Sequence, residues 1–312
     1  MKYIEFINNT ILETIKNDDN LVVFGQNIDA GSCLSGLTKG LKINEKINII
    51  NSTNSENSLC GFGFGLLIGG VNSILFMKQL DFLLLGVDHL VNTFNIIRNL
   101  DSLKNASFTI IPIIVDNGYQ GPQSSLNNFS DFCSMARIKG FTLTNKIDSE
   151  VILKKELLKP GFRIICPSQR LFNKEISSPK ELIFNDSENN IFQYSIGQDV
   201  TIVCFNLSFQ YGEELMKRLE KENIFSSLFS VNSPISNNWD KIISSIKKTK
   251  KLVIFDDSKS INNNMNNMLT KILDQNHLEK KIIIKRKIDD NWLNPNSEII
   301  EINYDELISE IR

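Results

Sequence analysis

A chain of 312 residues has room for about two domains of ordinary size. Its 34 Lys+Arg and 36 Asp+Glu balance to a net charge of −2, which excludes the broad positive field that draws proteins onto nucleic acid or an anionic membrane. With 41% hydrophobic and 22% charged residues the chain buries a real core, and its five scattered cysteines form no C-x-x-C pair, so neither a disulfide framework nor a zinc site is expected.

The opening Met1-Lys2-Tyr3-Ile4-Glu5-Phe6 lacks the charged-then-apolar pattern of a signal peptide. Ile4, Ile7, Ile11 and Ile15 then recur at helical spacing, and Leu21-Val22-Val23-Phe24 reads as a buried strand ending at Gly25. Further strands are expected at Ile47–Ile50, Ser73–Met77, Thr109–Val115, Phe141–Leu143 and Arg163–Cys166. Helices are expected over Asp81–Arg98 and around Ser149–Leu158. From Pro167 to Gly197 the period is lost. A second block follows: strands at Val200–Phe205, Ser226–Val231 and Leu252–Phe255, helices at Tyr211–Lys221, Trp239–Ile246 and Asn264–Leu273. Short buried strands alternating with helices imply parallel sheets covered on both faces, an α/β fold of two doubly wound domains. The expected organisation is a domain over 1–180, a linker over 181–196 and a domain over 197–312. The most apolar stretches, Leu59–Val71 and Leu80–Val87, are too short to cross a bilayer, which takes about 20 residues. No membrane, no nucleic acid and a cytoplasmic location are the expectations.

Four features bear on chemistry. Gly61-Phe62-Gly63-Phe64-Gly65 lacks the strand–turn–helix order of a dinucleotide-binding turn, whereas Gly61, Gly65 and Gly69 share one helix face and suit close packing. Lys247-Lys248-Thr249-Lys250-Lys251 complements the end of a helix. With only His89 and His277 in the chain, His-rich metal sites and a Ser-His-Asp triad have little to draw on. Glu56, in Asn54-Ser55-Glu56-Asn57, has two readings: an ornament at a helix start capped by Ser55, or a functional carboxyl group.

The second reading gains from a group of motifs in order. They are Val22-Val23-Phe24-Gly25-Gln26-Asn27-Ile28, Leu37-Thr38-Lys39-Gly40-Leu41, Asn54-Ser55-Glu56-Asn57-Ser58-Leu59-Cys60-Gly61-Phe62, and Gln79-Leu80-Asp81-Phe82. They continue with Val87-Asp88-His89-Leu90-Val91-Asn92, Gly121-Pro122-Gln123-Ser124-Ser125, Ser168-Gln169-Arg170-Leu171-Phe172 and Gly197-Gln198-Asp199-Val200-Thr201-Ile202-Val203. Spread over nearly the whole chain, they resemble the beta subunit of thiamine-diphosphate-dependent 2-oxoacid dehydrogenases, of the transketolase-like superfamily. The resemblance implies a pyrimidine-binding domain followed by a transketolase C-terminal domain. It also implies thiamine diphosphate as cofactor, with Mg²⁺ held by an alpha-type partner subunit through a Gly-Asp-Gly motif that this sequence lacks. A contact with a second beta chain, giving two of each chain, is implied as well. Glu56 matches the family's activating glutamate, whose carboxyl group hydrogen-bonds the aminopyrimidine ring nitrogen. Phe82 matches the aromatic residue packed on that ring, with ordinary core phenylalanine as the alternative.

Departures from the family shape the expectation. Ser124-Ser125-Leu126 stands where the family has a His-Ser-Gln run, Lys78 replaces a common glutamine, Gln26 replaces an acid, and Ser260-Ile261-Asn262-Asn263-Asn264 replaces a Gly-rich loop. The expected protein is a beta-type subunit of a two-chain enzyme that decarboxylates a 2-oxoacid or cleaves a ketose, small-molecule substrates both, and transfers the aldehyde unit. Glu56 activates, Phe82 stacks, Ser124 lines the pocket and Lys78 lies near the cofactor. The alternatives are a lipoyl-transferring dehydrogenase subunit of central metabolism and a non-catalytic structural subunit.

Overall fold

The computed structural model describes residues 1–43, 45–118, 128–186, 188–260, 265–273, 278–286 and 300–312. It divides into two compact units, Met1–Asn117 with Phe132–Ile176, and Gly118–Asp131 with Ser177–Arg312.

The first unit is built on six strands, β1 (Leu21–Gly25), β2 (Asn48–Asn51), β3 (Asn72–Met77), β4 (Ser107–Pro112), β5 (Lys139–Thr142) and β6 (Gly161–Cys166). Their order is β2-β1-β3-β4-β6-β5, with every neighbour parallel. β4 is buried at every residue, as a central strand covered on both faces must be. The helices are α1 (Tyr3–Ile15), α2 (Glu56–Ile68), α3 (Phe94–Ile97), α4 (Phe129–Ala136) and α5 (Lys146–Glu156). The α1 isoleucine stripe is buried as its spacing predicts. Between α2 and the sheet lies an aromatic cluster: the Phe64 ring is 5.1 Å from Phe108 and 4.8 Å from Phe162, and Phe94 is 5.1 Å from Phe162. α2 reaches these rings at Gly63, where a Cβ would come within 2.2 Å of Phe108 Cζ. The close-packing glycine is thus Gly63, together with Gly61 against His89; nothing lies within 4 Å of a Cβ at Gly65.

The stretch read as one helix over Asp81–Arg98 is broken. A 3-10 helix covers Leu80–Gly86, a π-turn covers His89–Thr93, and α3 follows, the two halves meeting at 71°. Leu80, Leu83 and Gly86 are buried at the three-residue spacing of a 3-10 helix, leaving Leu84 and Leu85 outside. The tighter coil seats Gly86 against α2, where a Cβ would lie 2.5 Å from Cys60 Sγ.

The second unit carries β7 (Phe184–Asp186), β8 (Ile191–Gln193), β9 (Val200–Phe205), β10 (Ser226–Val231), β11 (Lys251–Asp256) and β12 (Lys280–Lys285). The order is β12-β11-β9-β10-β8-β7, parallel from β12 to β10 and antiparallel at β8 and β7. α6 (Phe209–Lys221), α7 (Asp240–Thr249), α8 (Met265–Leu273) and α9 (Tyr304–Ile311) accompany it, over a core that includes Val203, Phe205, Phe229, Trp239 and Met268. Both sheets with their interleaved helices make an α/β protein. The segment read as a linker, 181–196, instead contributes the β7–β8 hairpin to this sheet. Its polar run is the turn: Asp186 Oδ1 accepts from the backbone N–H of Glu188 and Asn189, both at 3.1 Å. Among the described residues no single helix is long and apolar enough to cross a membrane.

Candidate functional site

In the order β2-β1-β3-β4 the chain leaves β1 toward one edge and returns on the other side, so the topological switch lies between β1 and β3. Open parallel sheets bind ligands at that crevice, beyond the carboxyl ends of the strands. Three of the residues singled out from the sequence stand just past those ends. Glu56 opens α2 beyond β2, Lys78 directly follows β3, and Phe82 lies in the first turn of the 3-10 helix after it. Gln26 directly follows β1. The backbone there is specific: Gly25 has φ +148°, and a Cβ on it would lie 2.2 Å from Phe76 O.

Glu56 is not a surface ornament. It is only 7% exposed, and its Oε1 accepts a 2.9 Å hydrogen bond from Gln26 Nε2, itself buried. Among the described residues no hydrogen bond is made to its other oxygen, Oε2. Ser55 sits at the N-cap but its side chain bonds no helix N–H; its hydroxyl instead donates to Ser58 Oγ at 2.9 Å. Glu56 stands in the first turn of α2, at the positive end of that helix. Burial and then the nearby Glu56 push the Cys60 thiol up to about 12, so Cys60 stays protonated and is no nucleophile. Phe82 is half-buried, and Lys78 is exposed. Gln79 adds a buried side-chain oxygen, Oε1, with no partner among the described residues. Ser124 and His277 lie outside the described residues.

Two arrangements were not legible as such. The Gln26–Glu56 bond joins residues 30 positions apart on separate strand ends. Beyond β4 and β6, the buried Asp116 accepts from Ser168 Oγ at 2.7 Å and from the Arg170 N–H at 2.9 Å, with Arg170 Nε 3.6 Å away. That latch fixes the Ser168-Gln169-Arg170 run, whose sequence alone gives no hint of its acidic partner. His89 is half-buried, with Nδ1 2.9 Å from Thr93 Oγ1. Among the described residues no three His, Cys, Asp or Glu side chains gather as a metal site.

No family model matches the chain. It is 23% identical over 261 residues to the mitochondrial pyruvate dehydrogenase E1 component subunit beta of Dictyostelium discoideum, covering 79% of this chain and 71% of that one. It is 22% identical to the acetoin:2,6-dichlorophenolindophenol oxidoreductase subunit beta of Cupriavidus necator, over 79% of this chain and 76% of the relative. The same identity links it to the 2-oxoisovalerate dehydrogenase subunit beta of Bacillus subtilis, over 81% and 78%. Among solved structures, one titled as a split gene transketolase in an inactive beta4 tetramer superimposes with a TM-score of 0.68 at 17% identity, covering 99% of this chain and 98% of that one. In sequence the chain is a diverged relative of 2-oxoacid dehydrogenase beta subunits, and in fold it is of the transketolase type.

Proposed function

We propose that this chain is the beta-type subunit of a two-chain thiamine-diphosphate enzyme acting on a 2-oxoacid or a ketose in the cytoplasm. The observation that carries the reading is the buried Glu56 carboxyl group at the β1/β3 switch point, held through one oxygen by Gln26. The residues present fit the aminopyrimidine end of the cofactor: a buried carboxyl with one oxygen spoken for, the unpartnered acceptor Gln79 Oε1, and the half-buried ring of Phe82 on the adjoining turn. When bound, thiamine diphosphate supplies a carbon nucleophile for the carbonyl carbon of the donor.

This chain's part is to bind, orient and manage one proton. With Oε1 held by the Gln26 amide, Oε2 is the atom at which Glu56 would hold and pass that proton. The Gln26 bond also fixes the carboxyl plane, so the proton is presented in one direction. Phe82 offers a flat apolar surface. Lys78, exposed beyond β3, is placed to meet anionic groups at the rim. Ser124 is proposed to line the pocket.

The sequence contains no Gly-Asp-Gly, so Mg²⁺ and the diphosphate are assigned to an alpha-type partner. The solved relative described as inactive is a tetramer of beta chains, which supports the need for that second chain type, with a beta–beta contact in the assembly. The test is reconstitution with a partner carrying Gly-Asp-Gly, followed by 2-oxoacid and ketose turnover with and without thiamine diphosphate. The expected result is cofactor-dependent turnover that Glu56→Gln lowers by about 10²–10⁴-fold, with the assembled mass unchanged by light scattering. Near-normal turnover by the variant would overturn the mechanism.

A further inference from the structure

The opposite end of the first sheet holds a feature that the proposed chemistry does not use. At the amino ends of β5 and β6 lies a cavity of about 600 Å³ whose lining includes Phe94, Arg98, Arg137, Lys139, Phe162 and Arg163, four cations with no acidic residue. In a chain with a net charge of −2, that is a local concentration of positive charge. We propose that this cavity is a binding site for a small phosphate-bearing anion.

Arg163 carries the argument. Its side chain is 1% exposed, yet it bonds only neutral oxygens: Thr109 Oγ1 at 3.2 Å, Pro160 O at 2.8 Å and Gly161 O at 3.1 Å. Among the described residues its Nε–H has no partner and no carboxylate lies within ion-pair distance of it. A buried guanidinium left unpaired costs free energy that a bound anion recovers. Arg98 repeats the pattern. It donates to Asn95 Oδ1 at 2.8 Å and Ala136 O at 3.0 Å, with its guanidinium 4.7 Å from the Phe94 ring centroid. Stacking and neutral acceptors fix two forks without cancelling either charge, the preorganisation that phosphate recognition by arginine requires.

Arg137 and Lys139 are the exposed members, free to close over an occupant. Partial desolvation, and then the nearby Lys159 charge, hold the Lys139 ammonium below its ordinary pKa, a crowding that an incoming dianion relieves. The acid whose field reaches Arg163 and Lys139 is Glu156, but it is engaged by Lys159 at 3.1 Å and Lys155 at 3.9 Å and does not line the cavity.

Calorimetric titration of the full chain at fixed ionic strength tests the proposal, with inorganic phosphate and glucose 6-phosphate as separate probes. The expected result is saturable binding near one per chain, at millimolar affinity or tighter. Tighter binding of the ester than of the free anion would identify an esterified ligand, and the reverse a free phosphate. The Arg137→Asn/Lys139→Thr double variant should weaken binding by about tenfold or more. Asn suits position 137, where φ is 50°, and both sites are exposed, so the fold is retained. A charge-matched control, Lys247→Thr/Lys248→Ser at the end of α7, should bind as the parent does. Unsaturable heats with both probes, or equal binding by the double variant, would each overturn the proposal.

Discussion

At the carboxyl ends of β1, β2 and β3 the first sheet gathers a buried carboxyl group, an amide that holds it and a turn bearing an aromatic ring, whereas at the amino ends of β5 and β6 it borders a cavity whose lining holds four cations and no acid. The difference follows from the topology. In a parallel α/β unit the connecting helices run against the strands, so helix N-termini crowd one end of the sheet and C-termini the other. The partial positive charge of the former favours Glu56 in the first turn of α2. The partial negative charge of the latter favours the basic residues that close α5, Lys154 and Lys155, and the cavity cations beyond. One scaffold therefore sorts charge by strand direction, with the proposed proton chemistry at one end and the proposed anion site at the other.

The sharpest way to break that contrast is to disable one end and read both. Glu56→Gln should cost about 10²–10⁴-fold in turnover of the reconstituted enzyme while leaving phosphate titration and melting temperature as in the parent; a fall in phosphate affinity would show that the ends are coupled. Next in size is the packing both ends share. Phe108→Ala removes the ring on which α2 rests at Gly63, and chemical denaturation should register a loss of about 3–5 kcal/mol.

Gln26→Leu keeps side-chain bulk but deletes the donor to Glu56 Oε1, leaving a buried oxygen unpaired. A stability loss of about 1–3 kcal/mol is expected, accompanied by a lower kcat with the KM for donor little changed. Unaltered kcat would mean that the amide bond is structural only. Gln26→Glu would set two carboxyl groups against each other, raising one pKa, so its pH–rate profile should shift to the alkaline side.

The smallest expected effect is a slope. Cys60 is raised from 9.0 to about 12 in the folded chain, so the proton is bound more tightly when folded. The resulting stability is fully present below pH 9 and is lost as pH rises toward 12, by up to about 1.4 kcal/mol per pH unit. Urea midpoints measured from pH 8 upward should decline less steeply for Cys60→Ala than for the parent.

Strands whose apolar runs were continuous, such as Leu21–Phe24 and Val200–Phe205, were legible because a doubly covered parallel strand needs no polar face. β12 is harder to read, since Lys280, Lys281 and Lys285 flank its three isoleucines, Ile282–Ile284, as suits an edge strand. The 3-10 turn at Leu80–Gly86 was hidden inside an apolar run that masks its three-residue period. In the candidate site, Glu56 stands out through its motif context, but neither its burial nor its bond to Gln26, a residue too far away along the chain, can be read from the sequence. Gln26 reads in sequence as a missing acid, whereas in the fold its amide holds the Glu56 oxygen. The cavity cations come from the end of α3, the α4–β5 connection and the strands β5 and β6, so no single local spacing announces all four.

The antiparallel hairpin that closes one border of the second sheet has a bearing on how this molecule meets others. β7 and β8 end the ladder in three-residue strands, and the opposite border is the lysine-bearing β12. Stubby margins on one side and like-charged margins on the other discourage a neighbour from lending a strand. Subunits joining this chain are therefore expected to arrive by helix surfaces and loops, which spares the second sheet the runaway stacking to which open ribbons are prone.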